Sequence, residues 1–348
     1  MGIVEYVVTV ALGTPEKKVT FVMDTGSDFS WIQCLPCQWS CYEQMEPIFN
    51  PSKSSSYTNI SCNSSLCKLS DDFGCYQETS TCSYSISYGD GSRTVGFVSE
   101  DKLTLTNSNV ISKFLFGCGQ NNTGILLGTA GILGLGLSKT SVMSQITPKY
   151  EKAFSYCLPS SLCFTGHLTL GNDSLIGRNT SSIQFTPLFY SNDLPYYFAD
   201  LIAMSVGGKK LPVDESVFTR PGTIIDSGTV LSRIPPTAYV ALQSAFQYQM
   251  AKYPRTCQIE GLDPCYDLSN NTYVMIPKIS LFFRGNVELD IDASGTLLGF
   301  NESCICLAFM GNRDPTYVSI ILNFQLKTYD VIHDIEGKKV GFGKGGCL

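Results

Sequence analysis

Short apolar runs alternate with turn-forming residues along most of the chain, and few are long or helically spaced. Glu5-Tyr-Val-Val-Thr-Val-Ala-Leu-Gly13 predicts a strand that ends in the turn Gly13-Thr-Pro15. Val19 to Met23 predicts a second strand that stops on Asp24. From Cys34 to Cys82 the chain is rich in Ser, Cys and Pro and has little periodicity, which predicts a loop-like insertion stapled by disulfides. Ser83-Tyr-Ser-Ile-Ser-Tyr88 alternates, Gly89-Asp-Gly91 turns, and Thr94 to Val98 returns, the pattern of a β-hairpin. Further strands are predicted at Lys102–Leu105 and Phe114–Phe116, and a short helix over Ser141–Ile146.

The second half repeats this plan. Tyr196 to Val206 predicts strands with Gly207-Gly208 as a hairpin turn, and Gly222 to Asp226 predicts a strand ending on an aspartate again. Pro235-Pro236 opens the clearest helix, where Tyr239, Leu242, Phe246 and Met250 form one stripe that is read as core packing. The last strands are expected over Val274–Ile276, Ile279–Phe283, Val318–Leu322, Leu326–Val331 and Lys339–Phe342. The pattern predicts an all-β, bilobal molecule, with lobes over residues 1–163 and 164–348 and a distant internal duplication between them.

Composition agrees with this reading. The 348 residues are 43% hydrophobic and only 16% charged, which suits a β-rich globular protein and argues against disorder. The net charge of −6 offers no basic patch for nucleic acid. The apolar run Ile125 to Leu137 is short and broken by Gly, so no membrane span is expected. No secretory leader precedes the first predicted strand, and Tyr6 breaks the myristoylation pattern.

The 15 cysteines narrow the compartment. Cys34-x2-Cys37-x3-Cys41 could in principle hold zinc, but His167 and His333 are the only histidines and neither is near it. Disulfides formed in an oxidising compartment account better for the set, and the odd count leaves at least one unpaired thiol. Sequons at Asn59, Asn63, Asn121, Asn172, Asn179, Asn270 and Asn301 point to the same secretory route and to a glycoprotein.

Chemistry is suggested by two segments, Phe21-Val-Met-Asp-Thr-Gly-Ser-Asp28 and Gly222-Thr-Ile-Ile-Asp-Ser-Gly-Thr229. One Asp-Thr-Gly is an ordinary turn. Two, each after an apolar strand and one in each half, are far more specific. Two carboxylates held within hydrogen-bond distance cannot both ionise cheaply, so they share a proton. The charged one can then take a proton from water while the protonated one polarises a carbonyl.

These segments resemble the two active-site loops of the pepsin-like aspartic proteases. The resemblance implies Asp24 and Asp226 as the catalytic pair. It implies that Thr25 and Ser227 hydrogen-bond across to the opposite loop, that Ser27 and Thr229 bond the outer carboxylate oxygens, and that Gly26 and Gly228 let backbone approach the pair. Ser87-Tyr-Gly-Asp-Gly-Ser92 resembles the family's flap tip, so Tyr88, Gly89 and Asp90 are expected over bound substrate, with Trp31 supporting Tyr88. No cofactor and no metal is implied. Peptide or protein substrates, pepstatin-type inhibitors and a monomer are.

The finer match is to the plant nepenthesin-like subgroup. It is carried by Cys34-x2-Cys37, Phe49-x-Pro-Ser-x-Ser-Ser55, Phe116-Gly-Cys-Gly119, Phe154-Ser-Tyr-Cys-Leu158, Cys265-Tyr-Asp-Leu268 and Val340-Gly-Phe342. By position this subgroup implies the bridges Cys34–Cys37, Cys41–Cys118, Cys62–Cys82, Cys67–Cys75, Cys157–Cys347 and Cys265–Cys306. Cys163, Cys257 and Cys304 are then extra, with Cys257–Cys304 conceivable. It also implies a secreted, extracellular protein, with vacuole and plastid as alternatives.

One departure stands out. Ile132-Leu133-Gly134 keeps the family's apolar-apolar-Gly segment, but its second copy reads Ile320-Ile321-Leu322. A leucine where backbone meets backbone is expected to overpack and could displace Asp226. The expected activity is an aspartic endopeptidase working at acid pH. The alternative is a catalytically impaired binding or inhibitor protein on the same scaffold, as in the xylanase inhibitors. Both Asp loops in one chain argue against a protease that needs two copies to complete its site.

Overall fold

The computed structural model describes residues 6–124, 128–146, 151–161, 163–171, 183–189, 194–228 and 231–347. The chain is mostly β and divides into two compact units at residues 149/150.

In the first unit β1 (Val7–Leu12), β2 (Lys17–Asp24) and β3 (Trp31–Gln33) come first. The Cys-rich stretch contributes only β4 (Thr58–Asn59) and β5 (Phe73–Tyr76). Then follow β6 (Thr81–Ser87), β7 (Arg93–Thr106), β8 (Asn109–Thr123), β9 (Gly131–Gly134) and helix α1 (Val142–Ile146). They form one sheet in the order β1-β2-β9-β3-β8-β7-β6-β5, with β4 on β7. An additional β1–β7 pairing rolls the sheet back on itself. β2 shows why the aspartate is held firmly. It is flanked by β1 and β9, and after the exposed Lys17 and Lys18 every residue to Asp24 is buried. A strand covered on both faces reads as a continuous apolar run rather than an alternating one.

The second unit opens with β10 (Ala153–Cys157), β11 (His167–Leu170), β12 (Gln184–Phe189), β13 (Phe198–Ala199), β14 (Leu201–Val206) and β15 (Lys209–Lys210). Helix α2 (Ser216–Thr219), β16 (Thr223–Ile225), β17 (Ser232–Ile234) and helix α3 (Pro236–Gln249) follow. The rest comprises β18 (Cys265–Tyr266), β19 (Ile279–Phe283), β20 (Val287–Asp290), α4 (Ala293–Thr296), β21 (Leu297–Asn301), β22 (Cys304–Leu307), β23 (Phe309–Gly311), β24 (Ser319–Ile321), β25 (Tyr329–Asp334) and β26 (Lys339–Lys344). The main sheet runs β11-β10-β25-β26-β12-β13-β16-β24-β17-β23. Smaller sheets join β15-β14-β19-β20 and β18-β22-β21. α3 begins at Pro236, where a missing N–H costs nothing, and it buries Leu242 and Phe246 as the stripe predicts. Tyr239 is only half-buried and donates through its hydroxyl to the Asp263 carbonyl at 2.7 Å.

Three expectations need correction. Val274–Ile276 forms no strand, and the Met275 N–H donates to the Tyr253 hydroxyl at 2.8 Å instead. The division falls at 149/150 rather than 163/164, because β10 hydrogen-bonds to both β11 and β25 of the second sheet. Four of the expected disulfides are also rearranged. Cys34 pairs with Cys118, and Cys37 with Cys41, in place of Cys34–Cys37 and Cys41–Cys118. β3 lies parallel to β8 with Ile32 opposite Cys118, and the Cys34 N–H donates to the Gly119 carbonyl at 2.9 Å, so Cys34 is delivered to Cys118. Likewise Cys62–Cys75 and Cys67–Cys82 replace Cys62–Cys82 and Cys67–Cys75. Cys75 and Cys82 oppose each other in the β5–β6 register but differ in burial. Cys82 is fully buried in the core against which Cys67 packs, whereas Cys75 is exposed and takes Cys62. Cys157–Cys347 and Cys265–Cys306 form as expected, Cys257–Cys304 is a seventh bridge, and Cys163 is free and exposed. With Cys34, Cys37 and Cys41 all in bridges, the first cluster offers no thiolates to zinc.

Candidate active site

In the first unit Asp24 ends β2, opposite Gly134 of the parallel strand β9. The chain then turns back on the carboxylate. The Gly26 N–H donates to Asp24 Oδ1 at 2.8 Å, and Ser27 Oγ donates to Oδ2. Asp24, Thr25 and Ser27 are all buried. A carboxylate held by two local donors is fixed in orientation before anything binds. Gly134 must be glycine, because a Cβ there would lie 2.6 Å from the Asp28 carbonyl oxygen and 2.9 Å from that of Ser27.

The hairpin of β6 and β7 carries Tyr88 at its tip, where Tyr88 N–H donates to the Ser92 carbonyl and Gly91 turns with φ 88°. Ser92 is held by Asp90, whose Oδ1 accepts from its N–H and hydroxyl. Trp31 Nε1 donates to Tyr88 Oη at 2.7 Å, the contact that the family resemblance implies. Burial, with the Asp24 charge adding to it, holds the Tyr88 hydroxyl well above its ordinary pKa, so it stays protonated. Gly89 and Gly91 have open space where a side chain would be, which suits the exposed end of a lid.

The second unit builds its loop from the same parts. Asp226 follows β16, which lies parallel to β24 with Ile225 opposite Ile321, as Met23 lies opposite Leu133. The Gly228 N–H donates to Asp226 Oδ1 at 2.8 Å, matching Gly26 on Asp24. Asp226 and Ser227 are buried. Thr229 lies outside the described residues.

Two supporting serines escaped the sequence reading. Ser30 Oγ accepts from the Gly134 N–H at 2.9 Å, and Ser232 Oγ accepts from the Leu322 N–H at 2.9 Å. Each stands six residues after its aspartate, so comparing the two copies position by position would have found them. Ser232 is held in turn by Gln325, a fully buried amide that also donates to the carbonyls of Gly295 and Ala308. Asp28 was missed too. Its Oδ1 accepts from the Ser138 N–H at 2.8 Å, and burial raises its pKa.

Leu322 keeps the backbone bond of its counterpart in the first unit. It is buried, and the Asp226 loop keeps its glycine hydrogen bond. By the same symmetry its facing positions are 229 and 230, which lie outside the described residues. Among the described residues one Cys cluster gathers side chains at metal-binding distance, Cys257, Cys265 and Cys306, and all three are in disulfides. No helix among the described residues is long and apolar enough to cross a membrane.

Residues 6–172 match the family model described as xylanase inhibitor N-terminal, and residues 196–344 match xylanase inhibitor C-terminal. An aspartyl protease family protein of Arabidopsis thaliana is 47% identical over the whole chain and 73% of its own length. Nepenthesin-2, an aspartic proteinase of Nepenthes gracilis, is 35% identical over 99% of the chain and 78% of its length. Among solved structures, basic 7S globulin from soybean superposes with a TM-score of 0.78 at 18% identity, covering 97% of this chain and 92% of its own. That likeness concerns the fold. With both halves matched in order, and close relatives spanning the full chain, this protein belongs to the pepsin-like aspartic protease family.

Proposed function

We propose that the protein is an aspartic endopeptidase in which Asp24 and Asp226 act together on one water molecule. The observation that supports this most is the repetition of one carboxylate cradle: an aspartate at the end of a buried strand, its Oδ1 taking the N–H of the glycine two residues on at 2.8 Å, in both units. The pair shares a proton and titrates as a unit. Its charged member removes a proton from water, which attacks the scissile carbonyl. Its protonated member donates to the carbonyl oxygen, and the proton then passes to the leaving amine. Thr25 and Ser227 link the two loops, and Tyr88 closes over the peptide with Trp31 behind it. Peptides and proteins are the substrates, and pepstatin-type inhibitors occupy the same place. Seven disulfides and the exposed sequon residues Asn63, Asn270 and Asn301 favour a secreted glycoprotein or one of another oxidising compartment.

The test is cleavage of a denatured protein across about pH 3 to 7, with and without pepstatin, beside Asp24→Asn. Pepstatin-sensitive, acid-shifted activity absent from the variant supports the reading. A folded protein inactive at every pH overturns it. The second reading, a non-catalytic binding protein, is favoured by one observation, the leucine at 322 where the first unit requires glycine.

A further inference from the structure

The two units share a plan closely enough to be compared side chain by side chain. Counting from each aspartate, Val22 matches Ile224, Phe29 matches Leu231 and Trp31 matches Arg233. The paired strands then match Ile132 with Ile320, since Trp31 opposes Ile132 and Arg233 opposes Ile320. In the first unit all four are buried, and the hairpin residues Ile86 and Tyr88 pack against their cluster. In the second unit Ile224 is buried, but Leu231, Arg233 and Ile320 are only half-buried. The face that the first unit covers with its own hairpin is left partly open in the second.

Arg233 is unlike the other arginines. It is the one described arginine that is not exposed, and among the described residues its side chain has no hydrogen bond or ion pair. Exposed Arg255 and Arg284, by contrast, pair with Asp263, Asp200 and Glu215. Its strand fixes it there. Ser232 turns inward to Leu322 and Gln325, Ile234 is fully buried, and Arg233 alternates to the opposite face. Its register partners Ile320 and Met310 and its neighbour Leu231 carry no charge. A guanidinium half-withdrawn from water on an apolar rim binds a carboxylate more strongly than an exposed one does, through a planar two-donor fork.

We propose that Arg233 is a specificity-determining residue that receives an acidic side chain of the bound peptide, with Leu231 and Ile320 lining the same subsite. The inference rests on the proteolytic reading above and names its preferred substrate class, peptides with Glu or Asp at one fixed position from the cleaved bond. The strand carrying Arg233 follows the Asp226 loop directly, as the strand of Trp31 follows the Asp24 loop.

The test uses peptides blocked at both ends, which removes terminal carboxylates, with Glu or Gln scanned through the positions around the cleaved bond. At one position the Glu peptide should exceed its Gln partner in kcat/KM by about tenfold or more at pH 5.5. The preference should fade as pH falls through the ordinary glutamate pKa of about 4.3. In Arg233→Gln the ratio should fall to near one, and Arg233→Glu should favour Lys at that position. A parallel arm measures binding of the same pair with the scissile bond reduced, which needs no hydrolysis. Cleavage without a Glu preference, or a preference that survives in Arg233→Gln, overturns the inference while the protease stands. No cleavage, but Glu-dependent binding lost in Arg233→Gln, overturns the catalytic reading and keeps the acidic-peptide subsite. Equal binding of Glu and Gln peptides, with no cleavage, overturns both.

Discussion

Gly134 and Leu322 occupy the same place in the two halves, and each donates its N–H to a serine six residues beyond an aspartate. Yet the first position has no room for a single carbon, and the second buries a whole isobutyl group. One backbone plan has been kept while its filling has drifted. The glycine N–H that holds each carboxylate is common to both halves. The side chains around it differ, so they are where the halves have taken separate roles.

Variants can break this comparison. The largest effect is expected at the aspartates. On the proposed mechanism Asp24→Asn and Asp226→Asn should each lower kcat/KM by about 10²–10⁴-fold, and to a similar degree. A variant that loses only one aspartate and keeps most of its activity would show that the halves are not equivalent in catalysis.

Acid should separate the halves next. Both histidines lie in the second unit, and His333 is fully buried. It stacks on Phe154 at 4.5 Å and meets Tyr197 at 4.4 Å, with no hydrogen-bond partner for either ring nitrogen among the described residues. Burial pushes its pKa down from 6.5 to about 3. Between those values the unfolded chain takes up a proton that the folded one refuses, so stability falls as pH drops from about 6.5 towards 3. The loss is at most about 5 kcal/mol. Denaturant unfolding at pH 7 and pH 4 should show the second unit losing stability, and His333→Phe should remove most of that pH dependence. An unchanged pH dependence in the variant would move the acid liability elsewhere.

The glycine and leucine positions come third. Gly134→Leu should cost at least about 3 kcal/mol, because backbone oxygens of Ser27 and Asp28 block it. Leu322→Gly should also destabilise, by about 2–5 kcal/mol, because it removes a buried side chain. A rise in stability for Leu322→Gly would show that the leucine is overpacked. The smallest effects are expected at the serines. Ser30→Ala and Ser232→Ala each leave a buried backbone N–H unpaired and should cost about 1–3 kcal/mol in urea unfolding. Ser232→Ala should be the worse of the two, since it also removes the hydroxyl that donates to Gln325 Oε1.

Much of this molecule can be read without coordinates. The apolar runs ending on Asp24 and Asp226, the hairpin with Tyr88 at its tip, the helix opening at Pro236 and the duplication are all patterns of adjacent residues. The family resemblance, rather than local pattern, is what pointed to Trp31 supporting Tyr88, 57 residues away. What failed was pairing over distance. Cys34 and Cys37 sit close in sequence, yet the parallel pairing of β3 with β8 carries Cys34 to Cys118, 84 residues away. β10 lies on the first side of the expected boundary but hydrogen-bonds into the second sheet.

The sequence by itself therefore determined which residues end the strands, which of them turn, and that the plan occurs twice. These follow from side-chain periodicity and from the conformational limits of Gly and Pro, which act over a few residues. The tertiary structure alone decided which cysteines meet, that Leu322 is buried with its N–H on Ser232, and that Arg233 is half-buried with no side-chain partner among the described residues. Each depends on strand register and on how completely a face is covered, and both are set by contacts between segments far apart in the chain.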